Sequence, residues 1–150
     1  MSFLNSYLPY VLRQADQALS APFYEALNKL GVARSEWRVI AVLHELGDMN
    51  VLDLAEAALS PQPTVTHAIG RLEKRGLILR TPGSTDKRVR IISMTPAGTD
   101  LAQTLIAEAN ALADEALADY ENLESLVEEL QTLTDAALTH LENRSIESAS

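Results

Sequence analysis

The chain has 150 residues, enough for one well-packed domain or a small module on a helical scaffold, and too few for two large domains. A hydrophobic fraction of 47% with no apolar run near bilayer length excludes a membrane-spanning helix, and zero cysteines exclude disulfides, thiolate metal sites and a thiol redox switch. The first residues, MSFLNSYLPYVLRQAD, have neither a basic n-region nor a small-residue cleavage site, so a cytoplasmic protein is expected.

From Asn5 to Leu30, apolar residues recur at Leu8, Leu12, Ala15, Leu19, Phe23 and Leu27, the spacing of one long amphipathic helix that Pro9 and Pro22 start or kink. Gly31 stops it. Ser35 caps a second helix carrying Arg38, Val39, Ala41, Val42, Leu43 and Leu46, which ends at Gly47. A short helix, VLDLAEAAL, lies between Asn50 and Leu59. The next helix runs to about Arg75 with Gly76 as its stop. It starts either with Ser60 as cap and Pro61 in first position, or with Gln62 as cap and Pro63 first.

After Gly76 the period falls to two: Leu77–Arg80 and Val89–Met94 are predicted strands, joined by the turn residues PGSTDKR into a hairpin. Thr95 then caps a helix with Pro96 in first position, whose stripe of Leu101, Leu105, Ala109, Leu112 and Ala116 reaches about Tyr120. Leu123, Leu126, Leu130, Leu133, Ala137 and Leu141 mark a last helix, and residues 144–150 are expected to be a frayed, flexible tail. The fold class is therefore mainly α with a small β-hairpin wing. Two terminal helices and a long penultimate one hold more apolar surface than a single three-helix core can wrap. Dimerisation through the termini is the economical solution, and an intramolecular bundle is the alternative.

Charge is unevenly placed along these elements. Ser60 to Arg90 carries seven Lys/Arg against two Asp/Glu, in a chain of net charge −9. Such a basic island is suited to a polyanion. Two short helices with a tight connection, followed by a hairpin with a basic loop, form a winged helix-turn-helix arrangement, whose second helix enters the major groove of double-stranded DNA. At 100° per residue, Val65, Ala68, Ile69 and Leu72 share one side of that helix. Pro63, His67, Arg71 and Lys74 share the other, flanked by Thr64 and Thr66.

Gln62, Thr64, Thr66 and His67 are candidate base readers, and Pro63 and Thr64 offer apolar contact to a thymine methyl. Arg71, Lys74 and Arg75 are candidate phosphate contacts. In the wing, Lys87, Arg88 and Arg90 surround Gly83. Asp86 accepts hydrogen bonds from loop amides or from the guanidinium and so aims Arg88 at a minor groove, while Arg90 reaches phosphate or pairs with an acid. His44, His67 and His140 show no metal-ligand spacing, and no cofactor is expected.

These motifs together, LAEAA followed by TVTHAIGRLEKRGLI, Asp86-x-Arg88 in the wing and TPAG opening the next helix, resemble the MarR (multiple antibiotic resistance regulator) family of bacterial transcription factors over roughly residues 5 to 142. The resemblance implies a symmetric homodimer with a winged helix-turn-helix at about 35–95 and dimerisation helices at about 1–34 and 96–143. It further implies binding to a palindromic operator, usually in repression, and release by a small, often aromatic or anionic, ligand. His67 stands where many members carry arginine, and Pro61 and Pro63 stiffen the start of the reading helix.

The resemblance also places a ligand pocket among the first, second and fifth helices of the family. Tyr10, Trp37, Arg38 and His44 are the candidates here, because an aromatic wall with a guanidinium suits an aromatic carboxylate. The alternative for Trp37 is core packing, and for Arg38 a structural ion pair. A winged module that binds protein instead of DNA is the alternative function, with an apolar exposed helix face as its hallmark. Catalysis is not expected: there is no glycine-rich phosphate loop, no G-x-S-x-G elbow and no carboxylate–histidine cluster.

Overall fold

The computed structural model describes residues 2–149. Its elements are α1 (Phe3–Ser6), α2 (Leu8–Lys29), α3 (Arg34–Leu46), β1 (Met49–Asn50), α4 (Val51–Ala57), α5 (Gln62–Lys74), β2 (Ile78–Pro82), β3 (Arg90–Met94), α6 (Pro96–Ala116) and α7 (Leu123–Ser148). They fall into two compact units, one ending at Ala113 and the other beginning at Asp114.

The first unit is the winged helix-turn-helix with the helices around it. Its three-stranded antiparallel sheet has the order β1-β3-β2, with Met49 opposite Ile92 and Ile78 opposite Met94. Leu27, Val39, Ile40, Leu54, Val65, Ala68, Ile69, Leu72, Ile78, Ile92, Ala102 and Leu105 form its dry core. The expected apolar side of α5 is the side that is buried, so helical periodicity decides which side of this helix faces inward.

Three expectations shift for local reasons. The predicted first helix is two. Pro9 has no N–H to donate to the Asn5 carbonyl and its ring crowds that group, so the chain extends at Tyr7 and restarts with proline in the first turn of α2. The cap of α3 is Ala33, not Ser35, and the Glu36 carboxylate accepts the Ala33 amide at 3.4 Å. Of the two proposed starts of α5 neither is exact: Pro61 is the cap, with Gln62 and Pro63 in the first two helical positions.

Helix ends are closed by backbone bonds. At α5, the Gly76 and Leu77 amides donate to Glu73 and Leu72 carbonyls, with Gly76 at φ +70°. The α4 end has the same pattern, Leu59 to Glu56 and Ser60 to Ala55, but the left-handed position is held by Leu59 at φ +52°. Leu77 thus belongs to the cap of α5 and β2 starts one residue later than expected. Pro82 is tolerated because β2 is an edge strand.

The wing is tied to α6 through Thr95. Its hydroxyl donates to the Gly76 carbonyl at 2.7 Å and accepts the Gly98 amide at 3.1 Å, while its own amide donates to the Leu77 carbonyl. This brings Gly98 so close that a Cβ there would overlap the Leu77 carbonyl.

The second unit is the end of α6, a short connection and α7. The expected fraying after Asn143 is not found: α7 continues to Ser148, since Asn143 to Ser148 contains no glycine or proline to stop it, and Ser150 lies outside the described residues. α7 contains no buried residue, and Leu126, Val127, Leu133, Leu138 and Leu141 are exposed. The penultimate helix stops at Ala116 instead of Tyr120.

Gly98→Ala is expected to cost about 1–3 kcal/mol, since backbone and not a flexible side chain stands in the way. Denaturant unfolding measures it, and an unchanged midpoint would contradict the close approach.

Candidate nucleic-acid interface

The outer face of α5 is built as the periodicity requires. Gln62, Pro63, Thr64, Thr66, His67 and Lys74 are exposed, and all but Thr64 line one open groove with Gly70 and Arg71. The groove floor is low because Gly70 carries no side chain. Small polar groups stand at the N-terminal half of the helix, and the cation follows at its C-terminal end, where it also suits the helix dipole.

Arg71 and Arg75 make internal contacts beyond those the sequence indicates. The Arg71 Nε donates to Glu36 Oε1 at 2.7 Å and its Nη2 to Ser35 Oγ at 3.1 Å. Arg75 Nη1 donates to Glu36 Oε2 and to the Gly31 carbonyl, both at 3.2 Å. Glu36 is 4% exposed, whereas the two arginine side chains remain about 40% exposed. Two guanidinium groups from α5 thus converge on one buried carboxylate of α3. They hold the reading helix in place, a role that phosphate contact alone would not require.

A second pair, Arg80 Nε to Glu73 Oε2 at 2.8 Å, links β2 to α5. It is half-exposed and correspondingly weak.

In the wing, the Asp86 carboxylate accepts the Arg88 amide at 2.9 Å. Of the two roles open to Asp86, the structure shows the amide one. The Asp86 carbonyl accepts from Val89, and Gly83 donates to the Val89 carbonyl at 2.7 Å. A Cβ on Gly83 would lie 2.6 Å from the Asp86 carbonyl oxygen, so the turn needs glycine for space. Lys87, Arg88 and Arg90 are exposed, and none of them forms an ion pair with a described residue; the acid partner entertained for Arg90 is not found.

Of the pocket candidates, Trp37 and Arg38 come together. With Asp16, Ala41, Val42 and Leu59 they line a cavity of about 420 Å³ between α2, α3 and the end of α4. Trp37 also packs edge-on against Phe23, centroids 4.9 Å apart, so its core role and its cavity role coexist. Arg38 forms no ion pair among the described residues; its Nη1 donates to Ser60 Oγ at 3.2 Å. Tyr10 and His44 do not line this cavity. Tyr10 lies six residues from Asp16, about 9 Å along α2, and His44 lies two turns beyond Trp37, about 10 Å along α3.

Glu36 was not singled out by sequence reasoning. Its signal was an acid on the same stripe as Val39, Ile40 and Leu43, where a solvated side chain has no place. Arg80 and its partner Glu73, seven residues apart, left no signal of that kind.

Comparisons with known proteins agree with this geometry. The sequence model of the MarR family matches residues 32–89. The homoprotocatechuate degradative operon repressor of Escherichia coli is 33% identical over 71% of the chain and 74% of its own length. A MarR family transcriptional regulator from Silicibacter pomeroyi DSS-3 superposes with a TM-score of 0.80 at 29% identity, over 91% of this chain and 99% of that one. NadR in complex with 4-hydroxyphenylacetate gives a TM-score of 0.66 at 32% identity, over 91% and 92%.

Glu36→Gln is expected to destabilise the fold by about 1–3 kcal/mol, the partial exposure of both arginines keeping it below the cost of breaking a fully buried pair. Glu73→Gln should cost less than about 1 kcal/mol. Equal unfolding midpoints for the two variants would contradict the clamp.

Proposed function

The chain belongs to the MarR family and is a DNA-binding transcriptional regulator, and from that premise we propose that it acts in the cytoplasm as a homodimeric repressor of a palindromic operator, released by a small aromatic acid. The observation that carries the DNA-binding half is the division of the basic island. Exposed small polar groups and unpaired cations remain on one face of α5 and on the wing, while the apolar face is buried and Arg71 and Arg75, though partly exposed, are tied to Glu36. A polar, basic reading face is the opposite of what a protein-docking winged module would present.

Gln62, Pro63, Thr64, Thr66 and His67 face base edges in the major groove. Lys74, Lys87 and Arg90 lie against phosphates, and Arg88, its amide fixed by Asp86, enters the minor groove. Arg71 and Arg75 act first as the clamp that sets the angle of α5. Affinity comes from counterion release, and two copies of the island at fixed spacing read two half-sites about one helical turn apart.

Homodimerisation is supported by the apolar residues left uncovered on α1, α2 and α7: Phe3, Tyr7, Leu8 and Val11 at one end of the chain, and Leu133, Leu138 and Leu141 at the other. No helix among the described residues is long and apolar enough to cross a membrane, so these residues are not read as lipid-facing. Effector release is supported by the cavity of Trp37 and Arg38, whose aromatic wall and guanidinium suit an aryl carboxylate such as the 4-hydroxyphenylacetate bound by NadR.

Selection of bound genomic fragments should return an inverted repeat. Arg88→Ala should weaken binding to all fragments alike, by about tenfold or more, and His67→Ala should alter the base preference. An unchanged logo for the His67 variant would remove it from the base readers. Adding 4-hydroxyphenylacetate should weaken operator binding by wild type and leave a Trp37→Ala, Arg38→Gln variant unaffected; release of both proteins alike would place the effector elsewhere.

A further inference from the structure

Five of the six glycines have a reason inside the protein: Gly31, Gly47 and Gly76 take a left-handed φ, and a Cβ on Gly83 or Gly98 would strike backbone. Gly70 has neither. It stands in the interior of α5 without a left-handed φ. Among the described residues, and beyond its own stretch of helix, a Cβ there would meet only Arg80 Nη2, at 4.0 Å, an ordinary contact with the end of a flexible side chain. Alanine would therefore fit, and glycine is the least favourable residue after proline in a helix interior. Nothing in the packing of the protein offsets that cost.

The surface that Gly70 leaves bare is on the reading face. It lines the open groove of about 530 Å³ with Gln62, Pro63, Thr66, His67, Arg71 and Lys74. At 100° per residue, Pro63, Thr66 and Gly70 fall within about 60° of one another, so the proline ring, the threonine side chain and the bare Cα form a strip along the helix. His67 and Lys74 border that strip on one side. From Pro63 to Gly70 it runs about 10 Å, roughly three base-pair steps. The amide and carbonyl of a residue in the helix interior are spent on the helical ladder, so the floor at Gly70 offers a phosphate no donor. Lys74 can hold a phosphate without a bare floor beside it. What the floor itself suits is a small apolar group.

We infer that Gly70 is a base-reading position: it lets the α5 backbone approach the floor of the major groove and seat the C5-methyl group of a thymine against its Cα. That methyl is the apolar mark of an A·T pair on its major-groove edge. A Cβ is itself a methyl-sized group, so alanine at position 70 would fill the seat. Close approach of backbone to a ligand is what glycine provides where no turn demands it. The inference rests on the chain's being a DNA-binding regulator, and it adds to the proposed readers a position that has no side chain.

The test uses Gly70→Ala in the full chain. Denaturant unfolding should show a higher midpoint, the folded-to-unfolded ratio rising by about threefold to fivefold. On the operator recovered by fragment selection, the variant should bind about tenfold or more weakly than wild type. Its affinity for an unrelated duplex and its salt dependence should stay at wild-type values, because no phosphate contact is lost. Replacing each thymine of a half-site in turn by deoxyuridine removes the methyl alone. At one position this should lower wild-type affinity by about threefold to tenfold, and at that position it should cost the variant nothing further.

A lowered unfolding midpoint would mean that the fold itself needs glycine, and overturns the inference. So does a loss of affinity that is as large on the unrelated duplex, or a pattern of deoxyuridine effects that is the same for both proteins. A wild type that binds its selected operator no more tightly than the variant removes the role of Gly70 alone, whereas a wild type that binds no DNA removes that role and the regulator reading together.

Discussion

Glu36 is the charged side chain that the first unit buries, and the position of the reading helix depends on it. A carboxylate removed from water is costly unless its oxygens are filled, and here one oxygen accepts Arg71 Nε and the other accepts Arg75 Nη1 and the Ala33 amide. Both arginines belong to the C-terminal end of α5 and the acid to the first turn of α3. Apolar packing of Val65, Ala68, Ile69 and Leu72 fixes which side of α5 faces inward, but such packing tolerates sliding and small rotations. Directed hydrogen bonds from two successive turns of α5 tolerate neither. The angle at which Thr66 and His67 are presented follows from that constraint.

The same contact divides the basic island into cations with and without an internal partner. Arg71, Arg75 and Arg80 are bound to Glu36 and Glu73, whereas Lys74, Lys87, Arg88 and Arg90 have no acid partner among the described residues. Fixed groups set geometry and unpaired ones set affinity. The wing is held to the same helix end by short links, the Thr95 hydroxyl on Gly76 and the Thr95 amide on Leu77, so helix and wing are presented together. Acid is concentrated elsewhere, with twelve Asp/Glu and one Arg from Asp100 onward, which disfavours DNA contact through that part of the chain.

What was legible in the sequence is what local periodicity encodes. The buried side of α5, the hairpin, Thr95 as the cap before Gly98 and the glycine stop at Gly76 follow from spacings within a few residues. β1 was missed because two residues, Met49 and Asn50, have no alternation to detect, and their pairing with β3 is a tertiary event. The Glu36 clamp joins residues 35 and 39 positions apart, so no window contains both ends. Arg71 and Arg75 were therefore read as phosphate contacts from their exposed positions on a helical wheel, although their reach brings them back onto α3. Asp86 was legible as a loop organiser, but its choice of the Arg88 amide over the guanidinium depends on turn geometry that spacing does not fix.

The division between clamp and contact is tested most directly by the salt dependence of operator binding. Each phosphate contact contributes about 0.9 to the slope of log affinity against log salt. Lys74→Ala should lower that slope by about one per half-site, while Arg71→Ala should weaken binding and leave the slope at the wild-type value. A slope that falls as much for Arg71→Ala as for Lys74→Ala would show Arg71 to be an ordinary phosphate contact and would contradict the clamp as the organising interaction.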